Sequence, residues 1–410
     1  MNNKALPLIL ATLITLPGLW LRLGGIHLAP PPMALLSGLA ILGASFLLLW
    51  ACDVAQMDIP QTLALAVVAL IAVLPEYAVD MYFTWMAGQD PSSDYTHYAI
   101  ANMTGANRLL IGVAWTSIAA IHWFKTRRRV NLNVDQRTEV LFLGMATAYA
   151  FLIPIKGSLA WYDGIVFFCI YAWYIRLAGQ RPCQECELEG PAELIGALPQ
   201  TRRRAATIGL FLFAAGVILA NAEPFSENLV ASGKVFGINE FLLVQWLAPI
   251  ASEAPEFIVA IMFVLRGQAA TAMGSLLSSK LNQWTLLVGM IPGVYGVSSG
   301  SFAHPMPLGT YQMHELFLTA AQSLLAVALM ASLSLGPGAA ILLFCMFVGQ
   351  LAGPAILENM SLTLPWGNGT DGVHQLFSAG YVIFFLITIW LKRQDVWELR
   401  RGARVEQTLF

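Results

Sequence analysis

Ile71-Ala72-Val73-Leu74-Pro75-Glu76-Tyr77-Ala78-Val79-Asp80 and Ala251-Ser252-Glu253-Ala254-Pro255-Glu256-Phe257-Ile258-Val259-Ala260 are the two stretches that decide the fold. Each is apolar at its flanks and carries a Pro-Glu pair. The pairs, Pro75-Glu76 and Pro255-Glu256, stand 180 positions apart. A carboxylate inside hydrocarbon is expensive and marks an ion pathway or a proton relay. A proline there breaks the backbone ladder and frees carbonyl groups, which is tolerated where they line a cavity. The same costly pair in both halves of one chain predicts an inverted-repeat transporter with its site near the midplane.

Composition supports a membrane protein throughout. The chain is 57% hydrophobic and 11% charged, against about 25% charged in an ordinary soluble domain. Apolar runs predict twelve spans, at 5–24, 33–52, 60–86, 94–123, 138–155, 158–177, 204–222, 238–265, 268–297, 312–333, 336–357 and 374–392. Segment 223–237 either extends the seventh span or forms a bent connection. The fold class is an all-α membrane bundle of two five-helix halves with one extra helix at each end. The expected organisation is an extra helix over 1–32, a first repeat over 33–180, a cytoplasmic linker over 181–203, a second repeat over 204–358, and an extra helix with a basic tail over 359–410. The partners are the lipid bilayer and inorganic cations. Net charge is −2, and no basic surface points to nucleic acid.

Lysine and arginine set the orientation. Lys125, Arg127, Arg128 and Arg129 follow the fourth span. Arg176, Arg181, Arg202, Arg203 and Arg204 lie in or beside the 178–203 loop. Lys392, Arg393, Arg400 and Arg401 follow the last span. Stretches 87–93, 298–311 and 358–373 contain no Lys or Arg. With twelve spans the basic clusters share one side, and both termini join them in the cytoplasm of a cell-membrane protein. The third and eighth spans then cross in opposite directions. Five cysteines make no disulfide framework, and the lone Cys183-Gln184-Glu185-Cys186 supplies too few ligands for a metal site. His97, His122, His304, His314 and His374 stand near span ends and read as interfacial rather than as relays. No nucleotide-binding motif is present, so the chain reads as a secondary transporter rather than a primary pump or an enzyme.

A second motif follows each Pro-Glu segment: Ala101-Asn102-Met103-Thr104-Gly105-Ala106-Asn107, then Gly274-Ser275-Leu276-Leu277-Ser278-Ser279-Lys280. The first resembles the G-N-x-x-G-S-N element of the cation/calcium exchanger superfamily, and the Pro-Glu stretches resemble its G-T-S-x-P-E element. The resemblance implies alternating-access antiport of cations, with calcium as the default substrate and no resident cofactor. It implies that Glu76 and Glu256 ligate the metal. Asn102 matches a coordinating amide, Ser275 its counterpart, and Ser252 the family's Thr. Calcium takes six to eight oxygens, which such residues supply.

Departures from the family pattern are large. Ala72 and Val73 replace the Thr-Ser pair, Glu253 replaces the second Ser, Lys280 replaces the closing Asn, and Arg108 follows Asn107. Asp80 and Glu253 share a helix face with Glu76 and Glu256 by i,i+4 and i,i+3 spacing. They join the expected cation-binding set, with Lys280 and Arg108 as charge-compensating residues. Lys280 is expected to pair with Glu253 or Glu256. Three functional readings stay open at this point. They are calcium exchange against protons or sodium, sodium/proton antiport on the same fold, and a non-transporting protein whose site is closed by ion pairs.

Overall fold

A computed structural model describes residues 4–59, 73–180, 188, 190–360, 364, 369–395 and 397. The first part of the expected third span, the Cys183–Cys186 loop and the basic tail beyond 397 lie outside them. The helices are α1 (Ala5–Leu23), α2 (Pro30–Ala55), α3 (Leu74–Gln89), α4 (Tyr95–Leu109), α5 (Thr116–Thr126), α6 (Arg137–Ala150), α7 (Leu152–Lys156), α8 (Trp161–Ala178), α9 (Pro191–Gly196), α10 (Gln200–Phe236), α11 (Glu240–Leu265), α12 (Ala269–Asn282), α13 (Val288–Ser298), α14 (Thr310–Met330), α15 (Pro337–Asn359) and α16 (Gly369–Leu391). Among the described residues, nine helical stretches are long and apolar enough to cross a membrane. The described α3, α8 and the α12–α13 stretch are not among them. The Ser275–Gln283 run makes α12 too polar, and described α3 is only 16 residues long. The protein is a nearly all-helical membrane protein.

Two short ribbons complete the secondary structure. β1 (Val130–Asn131) pairs antiparallel with β4 (Ser334–Leu335), and β2 (Ser158–Leu159) with β3 (Met306–Pro307). The residues form two compact units, each drawn from both halves of the chain. The first comprises 1–102, 175–256 and 297–300; the second comprises 103–174, 257–296 and 301–410.

In the first unit α2 packs against α1 and α10. Ala40, Ala44, Leu47, Leu48 and Val54 of α2 join Ala11 of α1 and Val217, Ile218 and Ala222 of α10 in one buried cluster. Segment 223–237 extends the seventh span: α10 runs 37 residues through Pro224. At 1.5 Å per residue that is about 55 Å, well beyond the hydrocarbon thickness. Part of the expected linker is ordered. Pro191 opens α9, and Ala192 and Ile195 bury their side chains, so apolar residues tie down what composition alone makes a solvated loop. Asp58 receives Arg203 through both carboxylate oxygens, at 2.8 Å each, and Arg204 at 3.2 Å. The hydrogen bonds from Arg203 hold its carboxyl well below the usual carboxylate range.

In the second unit a six-residue π-helical turn, Leu110–Trp115, interrupts the α4–α5 helix, and a five-residue one, Gln283–Leu287, interrupts α12–α13. Each begins three residues after the last residue of its motif, Asn107 or Lys280. Such bulges in α-helices recur at functional sites. Near each, a threonine hydroxyl donates to the carbonyl four residues earlier, Thr116 to Gly112 at 2.7 Å and Thr285 to Leu281 at 2.6 Å. Close helix approach depends on missing side chains. A Cβ at Gly164 of α8 would lie 2.4 Å from the Gly289 carbonyl oxygen of α13, while one at Gly293 would meet nothing within 4 Å.

Gly164→Ala should therefore force α8 and α13 apart and cost about 1–3 kcal/mol, the usual range for overpacking. Gly293→Ala, on the same α13, should be neutral or slightly stabilising. Thermal unfolding of both variants in detergent checks this, and equal midpoints would refute the close-approach argument.

Candidate cation-binding site

In the first unit, the start of α3 determines the placement of Glu76. Pro75 occupies the opening turn, where its missing N–H is not needed, and Glu76 follows in that turn. There the unsatisfied backbone N–H groups favour a negative charge. Glu76 is buried at 2% exposure and Asp80, one turn on, at 0%. Asp80 is therefore not a solvated residue at a span end. Asn102 of α4, itself buried, donates its amide Nδ2 to Asp80 Oδ1 at 2.6 Å. Asp80 Oδ2 and Asn102 Oδ1 have no hydrogen-bond partner among the described residues. Two acceptor oxygens in a dry place are costly unless something positive satisfies them. A cation is a chemically suitable occupant.

α11 carries the other acidic residues of this unit. Glu253 is buried and Glu256 half-buried. Pro249 and Pro255 interrupt α11, and each removes the N–H that the carbonyl four residues earlier would accept. Ser252 is half-buried and turns its hydroxyl back on its own helix, 3.2 Å from the Pro249 carbonyl and 3.4 Å from that of Ala248. Asp53 at the end of α2 and Glu256 both act electrostatically on Cys52. Asp53 belongs to this acidic neighbourhood, and no repeat partner marks it in the sequence.

The second unit holds the two cations. Lys280 is fully buried and donates to Asn107 Oδ1 at 2.6 Å and to the Asn107 carbonyl at 3.1 Å. Its ammonium also lies 4.6 Å from the centre of the Trp284 ring, within cation–π range. Asn107 and Lys280 close the two motifs, so the residues at matching positions bind each other. Arg108 is buried at 1% exposure and forms an ion pair with fully buried Glu315 of α14. Thr104 donates to the same Glu315 oxygen at 3.3 Å, and Gln322 donates to the Arg108 carbonyl at 3.3 Å. Glu315 is the residue that sequence reasoning missed, since it stands alone in an apolar span outside both motifs. Ser275 is exposed on α12, unlike Asn102.

A family model described as sodium/calcium exchanger protein matches residues 31–179 and 206–355. The crystal structure of an H+/Ca2+ exchanger, CAX, is 42% identical and superposes over 100% of both chains with a TM-score of 0.92. The sodium-calcium exchanger NCX_Mj is 17% identical, with a TM-score of 0.51 over 78% of this chain and 96% of its own, a likeness of fold. CaxA of Alkalimonas amylolytica, an antiporter by name, is 22% identical over 246 residues, covering 57% of this chain and 72% of CaxA.

The Arg108–Glu315 pair gives a stability prediction. Arg108→Leu leaves a buried carboxylate without its guanidinium and should cost about 3–5 kcal/mol. Adding Glu315→Leu should restore most of that loss, because two apolar side chains leave no buried charge. Unfolding of single and double variants in detergent measures it. A double variant no more stable than Arg108→Leu would refute the pairing.

Proposed function

We propose a calcium/proton antiporter, because the chain belongs to the sodium/calcium exchanger family and departs from its sodium ligands at named positions. The observation that carries this reading is the Lys280–Asn107 contact. A tethered ammonium occupies oxygen that a free monovalent cation would otherwise use, and Ala72 and Val73 bring no hydroxyl. Calcium then needs the carboxylates of Glu76 and Glu256, with Asp80, Asn102, Ser252 and Glu253 completing the oxygen supply. Ser275, exposed on α12, contributes only if that face lines the pathway. Protons compete for the same carboxylates, since a bound divalent cation favours their charged form and its departure favours protonation. The full-length likeness to an H+/Ca2+ exchanger supports the proton as counter-ion.

The architecture we infer for this activity is twelve spans with both termini cytoplasmic in the cell membrane, two inverted repeats over 33–180 and 204–358, extra helices over 1–32 and 359–410, and a linker over 181–203. Supporting it, Met306 follows Val130 by 176 positions and Ser334 follows Ser158 by the same interval, so the ribbon strands repeat with one period. Transport proceeds by alternating access, one helix pair sliding against the rest of the bundle while the site stays near the midplane.

Radiolabelled calcium uptake into proteoliposomes tests the reading. A pH gradient should drive uptake and a sodium gradient should not. Glu76→Gln and Glu256→Gln, which keep size and remove charge, should each abolish uptake in protein that still inserts. Near-normal uptake in either variant, or uptake driven equally by sodium, would overturn the reading.

Lys280→Asn restores the family's residue and should give sodium a measurable effect on calcium uptake. If ion preference and pH profile both stay unchanged, the ammonium has no part in selectivity.

A further inference from the structure

α16 lies beyond the segments matched by the family, yet it packs along α14 and α15 and reaches a buried charge in the core. His374, in the second turn of α16 and 4% exposed, places Nε2 at 3.2 Å from Glu315 Oε1. The other oxygen of that carboxylate is held by Arg108 and Thr104. His374 Nδ1 is buried and has no hydrogen-bond partner among the described residues. Nearer the surface, His314 Nδ1 lies 3.2 Å from Asp371 Oδ1, and His314 Nε2 lies 3.3 Å from Gln375 Nε2. Side-chain exposure falls inward from 40% at Asp371 and 25% at His314 to 0% at Glu315. Titratable side chains thus descend from the surface to a buried ion pair.

We infer that His374, Glu315 and Arg108 form a regulatory proton-binding site through which α16 sets the rate of transport. The regulatory part rests on the exchanger reading; the proton site does not. The charged groups facing His374 are Glu315 and His314 on α14, Arg108 on α4 and Asp371 on its own helix. Tyr311 adds a ring 5.5 Å from the imidazole, and Tyr381 is a buried hydroxyl further along α16. On α15, Cys345 is exposed.

With a neutral imidazole, Arg108 and Glu315 cancel and the cluster is electrically balanced. Imidazole is the side chain whose charge changes between about pH 5 and pH 8. A proton on Nδ1 adds a second cation beside Arg108, and one carboxylate then serves both. A buried surplus charge of this kind is unfavourable. It is relieved when Glu315 turns from Arg108 to the imidazolium, or when water enters between α14 and α16. Either change loosens α16 and frees Arg108, whose chain neighbour Asn107 holds Lys280. Acid on the face carrying the α14 and α16 N-termini therefore slows exchange without weakening calcium binding.

Hydrogen–deuterium exchange of residues 369–391 in the full chain, corrected for intrinsic rates, reads the site without needing transport. Wild type should exchange at least about threefold faster at about pH 5.5 than at about pH 8. His374→Gln keeps an amide donor for Glu315 and takes up no proton, so the difference should vanish. Its calcium uptake should persist with a flatter dependence on pH at that face. Equal protection at both pH values in wild type overturns the inference, as does a difference that survives in His374→Gln. If His374→Gln does not insert, the wild-type comparison alone decides. Wild type that shows the pH-dependent exchange but no calcium uptake sinks the exchanger reading and leaves the proton site standing. Uptake whose pH profile is the same in wild type and His374→Gln overturns the regulatory role.

Discussion

A charge in hydrocarbon must be met by an opposite charge, by donors and acceptors, or by an ion from solution. The buried polar groups of this protein sort by which answer they use. Arg108 is answered by Glu315, and Lys280 by an amide, a carbonyl and an aromatic face. Asp80 is answered on one oxygen, by Asn102, and its other oxygen has no hydrogen-bond partner among the described residues. The cations are thus closed into the fold. The Asp80–Asn102 pair keeps acceptor capacity that something mobile can fill.

Proline and π-helical turns act on the backbone in a related way. Pro75, Pro249 and Pro255 remove N–H groups, and the two π-helical turns shift the ladder by one residue. Within a helix such a change leaves carbonyl groups without their usual N–H partner, while Pro75 in an opening turn costs none. Threonines 116 and 285 satisfy some of the disturbed carbonyls from their own side chains. The π-helical turns lie directly after the motifs, whereas proline also lies inside α1, α10 and α15 away from them.

Much of the helical layout was legible in the sequence because lipid enforces long apolar runs and polar breaks. Most described helices fall on expected spans, with α10 absorbing 223–237 despite Pro224 and α9 lying in the expected linker. Glu76 and Asn102 could be named because they sit in repeated motifs. Glu315 could not, because it lies in no repeated motif and pairs across the chain with an arginine from the other half. For Asp80 the spacing fixes a helix face but not a depth, and the depth comes from its complete burial. Ser275 shows the limit of matching positions, since motif alignment makes it the counterpart of Asn102 while its environment is exposed. Composition also made 181–203 a solvated linker, whereas Ala192 and Ile195 anchor part of it.

The two ribbons have a consequence for how the protein is made. Each joins a strand from the first half of the chain to one from the second: Val130–Asn131 to Ser334–Leu335, and Ser158–Leu159 to Met306–Pro307. Neither half can close its own ribbon. At ribosomal speeds of about 5–20 residues per second, the roughly 200 residues between β1 and β4 take about 10–40 s to emerge. Through that interval the edge of β1 waits without its partner, and nascent chains that insert the first half early must hold it open until the last third of the protein arrives.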